Sequence, residues 1–97
     1  MRHLEDRPLS YRRAMERLRT LWKDGLVQIL PHAQDRMRQR RLDRQDLAYM
    51  IRYGHVVSHS KPGQLWRYKV EGKSVDGEQV ACVVEINGNL IIVTVID

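Results

Sequence analysis

His32, Arg36 and Arg40 stand four residues apart in "PHAQDRMRQRRL", residues 31–42. Arg38 and Arg41 bring the cationic residues of that stretch to five of twelve, and Asp35 is its single acid. Histidine gives or takes a proton near neutral pH. A guanidinium presents a planar fork of donors to phosphate oxygens. One His with two Arg is therefore a workable set for cleaving a phosphodiester through its neighbouring 2′-hydroxyl. The imidazole would move the proton, and the arginines would stabilise charge on a phosphorane-like transition state. No Asp/Glu cluster suited to Mg²⁺ is visible, because Asp43 and Asp46 are more simply helix-start residues. A nuclease built this way is expected to work without metal, which points to RNA rather than DNA.

The element that would carry these residues is a helix over 31–40. Pro31 suits its first turn, where a missing N–H costs nothing. On 3.6-residue geometry His32, Arg36 and Arg40 form one stripe about 80° wide. Ala33 and Met37 lie on the adjacent stripe and face the core. Like charges at i, i+4 repel by a few tenths of a kcal/mol, so a bound anion would offset a real cost. The plainer alternative stays open. His32 would then only satisfy a backbone group, and the arginines would pair with Asp35, Asp46 or Glu85. Three positions make a weak pattern on their own.

The flanking segments read as follows. Residues 1–9 form a polar arm, and residues 10–97 a single domain. A helix over 10–24 carries Tyr11, Met15, Leu18, Leu21 and Trp22 on one stripe, with Ser10 as cap and Gly25 as stop. "LVQIL", residues 26–30, is a plausible short strand. A further helix starts at Asp43, with Asp46 in its first turn, buries Leu47, Met50 and Ile51, and ends at Gly54. From residue 55 the period changes to two. "HVVSH", "LWRYKVEGKSV", "EQVACVVEI" and "NLIIVTVI" read as strands, with Asp76-Gly77 and Asn87-Gly88 as hairpin turns. Gly72 marks a bulge or kink. The last strand is apolar on both faces and should be central or well covered. The expected fold class is α+β, with N-terminal helices packed on a four-stranded antiparallel sheet.

Composition sets the outer limits. The chain has 97 residues, 42% of them hydrophobic, and no Phe. That supports one small folded domain. The formal charge is +5 and the pI about 9.8. Residues 1–54 carry a net +6 and residues 55–97 a net −1, so the positive field belongs to the first half. Such a balance favours anionic partners, nucleic acid or an acidic protein. Cys82 is the only cysteine, which excludes an intramolecular disulfide and fits a reducing compartment. No signal peptide and no membrane-length apolar run is visible. The expectation is a cytoplasmic protein with no cofactor.

Other residues have weaker claims. Thr94 sits in "IIVTVI", where its hydroxyl must find a partner among apolar neighbours. A β-branched residue in a strand needs no further reason, however. Arg67 and Lys69 share one strand face and could meet phosphates. Trp66, Tyr68 and Val70 share the other, which is more often core; otherwise Tyr68 could stack a base. His55 and His59 read as surface or strand-end residues, and Cys82 as a small buried hydrophobe. One thiol and scattered histidines make no zinc pattern.

"HAQDRMRQRRLDRQDLAYMIRYGHVV", "WRYKVEG", "DGEQVACVVEI" and "LIIVTVI" together resemble the DUF4258 family of small bacterial proteins, over about residues 26–97. The pattern HA-x-x-RM-x-x-R is followed by an acid at a helix start, a Gly after that helix, and strands ending in a Thr-containing one. The resemblance implies relatedness to RelE-like and barnase–EndoU–colicin-type ribonuclease toxins, many of which cleave RNA without metal. It also implies an antitoxin-like protein partner. Carried over by position, the motif residues are His32, Arg36, Arg40 and Thr94. Leu30 stands where Ser or Thr is common. Three functions follow: a toxin-type ribonuclease, a non-catalytic nucleic-acid-binding module, or a protein-interaction domain docking an acidic partner. In the first two, Arg38, Arg41, Arg67, Lys69 and Tyr68 would contact nucleic acid.

Overall fold

Ala14, Met15, Leu18 and Leu21 recur every three or four residues. The computed structural model, which describes residues 7–96, buries all four along one side of helix α1 (Tyr11–Lys23). Ser10 caps this helix by accepting the Arg13 N–H at 3.2 Å. Gly25 ends it with a φ of 75°, which only glycine adopts without cost. Tyr11, expected on the buried stripe, is 43% exposed at its rim, and Ala14 takes that place in the core.

After α1 come β1 (Val27–Ile29), α2 (Pro31–Gln39), α3 (Arg44–Tyr53), β2 (His55–Ser60), β3 (Arg67–Lys73), β4 (Gln79–Asn87) and β5 (Asn89–Ile96). The fold is α+β, but the sheet is not four antiparallel strands. It has five strands in the order β1-β5-β4-β3-β2. Strands β2 to β5 form the expected antiparallel meander. The short run at 27–29 joins β5 in parallel, with Val27 across from Leu90 and Ile29 across from Ile92. Three residues give no alternation to follow, and a parallel partner lies far off in sequence. That is why the apolar run could be read as a strand without its place in the sheet. β5 is an interior strand, with β1 on one side and β4 on the other.

All the large core residues project to one face of the sheet, where the three helices pack. Leu18, Leu47, Met50, Ile51, Val70, Val84, Leu90, Ile92 and Val95 are fully or almost fully buried there. Cys82 lies among them, and burial pushes its thiol up to about 12. The opposite face carries Arg67, Lys69, Val83, Glu85, Ile91 and Thr94, all half-buried.

Gly72 makes no bulge. It stays in register across from Val80. The irregularities fall instead between Val56 and Ser58 and between Val83 and Val84. Gly72 is needed for close approach: a Cβ there would stand 2.8 Å from Met50 Cγ, and one at Gly54 would stand 2.3 Å from the Glu71 carbonyl. The end of α3 therefore rests directly on β3. At its other end, Asp43 and Asp46 form a reciprocal capping box.

The polar arm assigned to residues 1–9 lies, over residues 1–6 and including His3, outside the described residues. Leu9 belongs to the fold, packing on the core while its N–H donates to the Tyr68 hydroxyl at 2.9 Å. No described helix is long and apolar enough to cross a membrane.

Candidate nucleic-acid interface

Helix α2 begins with Pro31 and has no side-chain cap at Leu30. The Gln34 N–H makes the first intrahelical bond, to the Leu30 carbonyl, and its side chain ties the helix back to β1 by donating to the Ile29 carbonyl, each at 2.9 Å. Ala33, fully buried, and Met37, 7% exposed, seat the helix against β5. That seating fixes the neighbouring stripe. His32 is exposed in the first turn, and Arg36 and Arg40 are half-buried along the flank.

The arginines reach the end of the sheet. Strand β1 pairs with only Leu90–Ile92 of β5. Beyond that stretch Arg36 Nε donates to the Val95 carbonyl at 3.2 Å, and Arg40 Nη1 to the Ile96 carbonyl at 3.1 Å. Arg40 Nη2 also reaches the Gln79 carbonyl at 3.4 Å. Both guanidinium planes are thus oriented by backbone oxygens where strand pairing runs out. Neither Asp46 nor Glu85 serves them: Asp46 caps α3, and Glu85 takes Arg67 at 2.7 Å. Asp35 pairs with Arg38, an exposed contact.

The expected site residues fall into two groups. His32, Arg36, Arg38, Arg40 and Arg41 stand together on α2 and its C-terminal turn. Thr94, Arg67 and Lys69 stand on the sheet face turned away from the helices. Lys69, Val83 and Thr94 are aligned there across three strands. Thr94 meets the α2 row only through a shared acceptor, since its hydroxyl donates at 3.4 Å to the same Val95 carbonyl that binds Arg36. Lys69 approaches Glu71 at 3.7 Å. Tyr68 is 3% exposed on the helix side, so its ring has no open face on which a base could stack. Among the described residues no three His, Cys, Asp or Glu side chains gather as metal ligands would.

A family model described as a domain of unknown function, DUF4258, matches residues 29–97. The chain belongs to this family. The DUF4258 match runs from the end of β1 through β5 and so contains the whole α2 row and the strand carbonyls that orient it. Helix α1 precedes the DUF4258 match, although it contributes four residues to the common core. No curated protein and no solved structure matches the chain.

Two features of this DUF4258 chain were not anticipated from its sequence. Arg19 of α1 donates to the Ile51 and Gly54 carbonyls at 3.1 and 3.0 Å, so it closes the C-terminal end of α3 with a cation. Tyr49 and Tyr53 also form a pair on the outer side of α3, 40% and 61% exposed. Their spacing of four was the available signal, because two tyrosines at i and i+4 must share one helical face.

Proposed function

We propose that this chain is a metal-independent ribonuclease of toxin type, acting through the His/Arg row of α2. The observation that carries this reading is the accessible His32 on the same helical flank as two guanidiniums held in fixed orientation by the Val95, Ile96 and Gln79 carbonyls. His32 takes the proton from a ribose 2′-hydroxyl. The 2′-oxygen then forms a bond to phosphorus as the bond to the 5′-oxygen breaks. The products are a 2′,3′-cyclic phosphate and a 5′-hydroxyl, the proton returning to the departing oxygen. Arg36 and Arg40 stabilise the charge gathered on the phosphoryl oxygens. Arg38 and Arg41 hold flanking phosphates. An acidic antitoxin-like protein laid over this helix would silence it.

Purified protein should cleave single-stranded RNA in EDTA and leave cyclic phosphate ends. His32→Ala should lower the rate by roughly 10²- to 10⁴-fold. RNA that stays intact under these conditions, or a His32→Ala variant as fast as wild type, removes the proposal.

A second reading has its own support. Arg36 and Arg40 already spend donors on backbone carbonyls, so part of their role is to secure the sheet end. On that reading the basic face binds RNA without cutting it. Affinity would then fall steeply with salt while the strand stays whole.

A further inference from the structure

A hollow of about 300 Å³ opens where the second half of α3 meets the adjoining ends of β2, β3 and β4. Tyr49 and Tyr53 form its helical wall, and His55, Glu71, Lys73 and Gln79 stand around the strand side. The tyrosine rings lie 4.8 Å apart, tilted by 57°, and the Arg52 guanidinium lies 5.4 Å over Tyr53. The core does not need these rings, because Met50, Leu47 and Ile51 fill the buried side of the same helix. Gly54 and Gly72 set the depth. They bring α3 down onto β3 so closely that either Cβ would collide, leaving a floor of backbone between helix and strand.

The rim is chemically mixed. Lys73 offers donors and His55 offers one donor and one acceptor when neutral, while the Glu71 carboxylate is engaged by Lys69 at 3.7 Å on the strand face turned away from α3. An exposed tyrosine face bordered by polar groups suits a planar heterocycle whose own edge carries donors and acceptors. The Gln79 residue at this rim also receives Arg40 of the α2 row on its carbonyl, so hollow and row adjoin.

We propose that this hollow holds one nucleobase of a single-stranded RNA whose phosphates run along α2. The proposal rests on the RNA reading above and adds the subsite where the strand is gripped by a base rather than by charge. The base stacks on the Tyr49/Tyr53 wall, and Lys73 and His55 meet its edge.

The test is fluorescence anisotropy of the full chain with a short fluorescein-labelled 2′-O-methyl RNA of mixed sequence, which cannot be cut through its 2′-oxygen. Tyr49→Ala and Tyr53→Ala should each weaken binding about five- to a hundredfold. Both should leave the slope of affinity against salt unchanged, because no charge is removed. Tyr53→Phe keeps the ring and should bind as wild type. Adenosine monophosphate should bind far more weakly than the strand; equal affinity would overturn the strand as the ligand. Tyrosine variants that keep the wild-type circular dichroism spectrum and still bind the strand as wild type does would overturn the hollow alone. A wild-type chain that binds no RNA would overturn both the hollow and the RNA reading on which it rests.

Discussion

Arg41 is the residue whose conformation is most at odds with its type. It takes φ 56° just after α2, the left-handed position where glycine usually stands, at a cost of about 1 kcal/mol for a residue with a Cβ. The turn is closed by Leu42 N–H donating to the Met37 carbonyl at 2.8 Å, a bond any residue at 41 permits. Keeping an arginine there fits a role for its exposed charge. Arg41→Gly should therefore leave stability unchanged or raise it by up to about 1 kcal/mol in urea melts, while weakening RNA binding at low salt. A clear loss of stability would instead assign the guanidinium to the fold. Cys82 makes the opposite case. Its thiol is buried and held at about 12, so a thiol-specific reagent at pH 8 should react with it only after the chain unfolds. At this scale the sequence was informative where one helix decides the outcome. The burial of Ala33, Met37, Leu47 and Met50 follows from spacing alone. The partners of Arg36 and Arg40 did not, since backbone carbonyls 39 to 59 residues away leave no mark in composition.

Among the elements, α3 shows how local and distant chemistry combine. Asp46 completes the cap at the helix start and also accepts the Val75 N–H at 3.0 Å, tying the helix to the β3–β4 hairpin. Partial burial opposes its ionisation, but the amide hydrogen bonds from Asp43 and Val75 outweigh that and hold its carboxyl below the ordinary 3.8. A carboxyl lowered in the folded state contributes stability above its unfolded pKa and loses it as pH falls through the folded one. Asp46→Asn should therefore lower stability at neutral pH by about 1 kcal/mol. It should also flatten the decline of urea midpoint below about pH 4. An unchanged acid profile would deny Asp46 this role. Helix boundaries and both tight turns could be foreseen because caps and Gly dipeptides act within a few residues. Gly72 was misjudged because its reason is Met50, which reaches it from another element. The pairing of β1 escaped for the same kind of reason: a parallel neighbour is chosen by the crossover, not by the strand's own three residues.

Over the whole molecule, charge and shape divide between the two halves of the chain. Residues 7–54, which supply the three helices, β1 and the turns between them, hold 12 Lys/Arg against 5 Asp/Glu, while the strands of residues 55–96 are near neutral. Binding of a single strand along α2 should be electrostatic at long range. Arg38→Gln should reduce the slope of log affinity against log salt by about 0.7 if Arg38 meets one phosphate; an unchanged slope would place the strand elsewhere. The meeting of Val27–Ile29 with Leu90–Ile92 also has a consequence for how the chain is made. Helix α2 finds its seat, and Arg36 its carbonyl 59 residues onward, only on a strand translated far later. While the ribosome is still adding those residues, the apolar side of α2 has nothing to lie on. The helix that carries the cationic row is thus left unassembled until β5 has emerged from the exit tunnel.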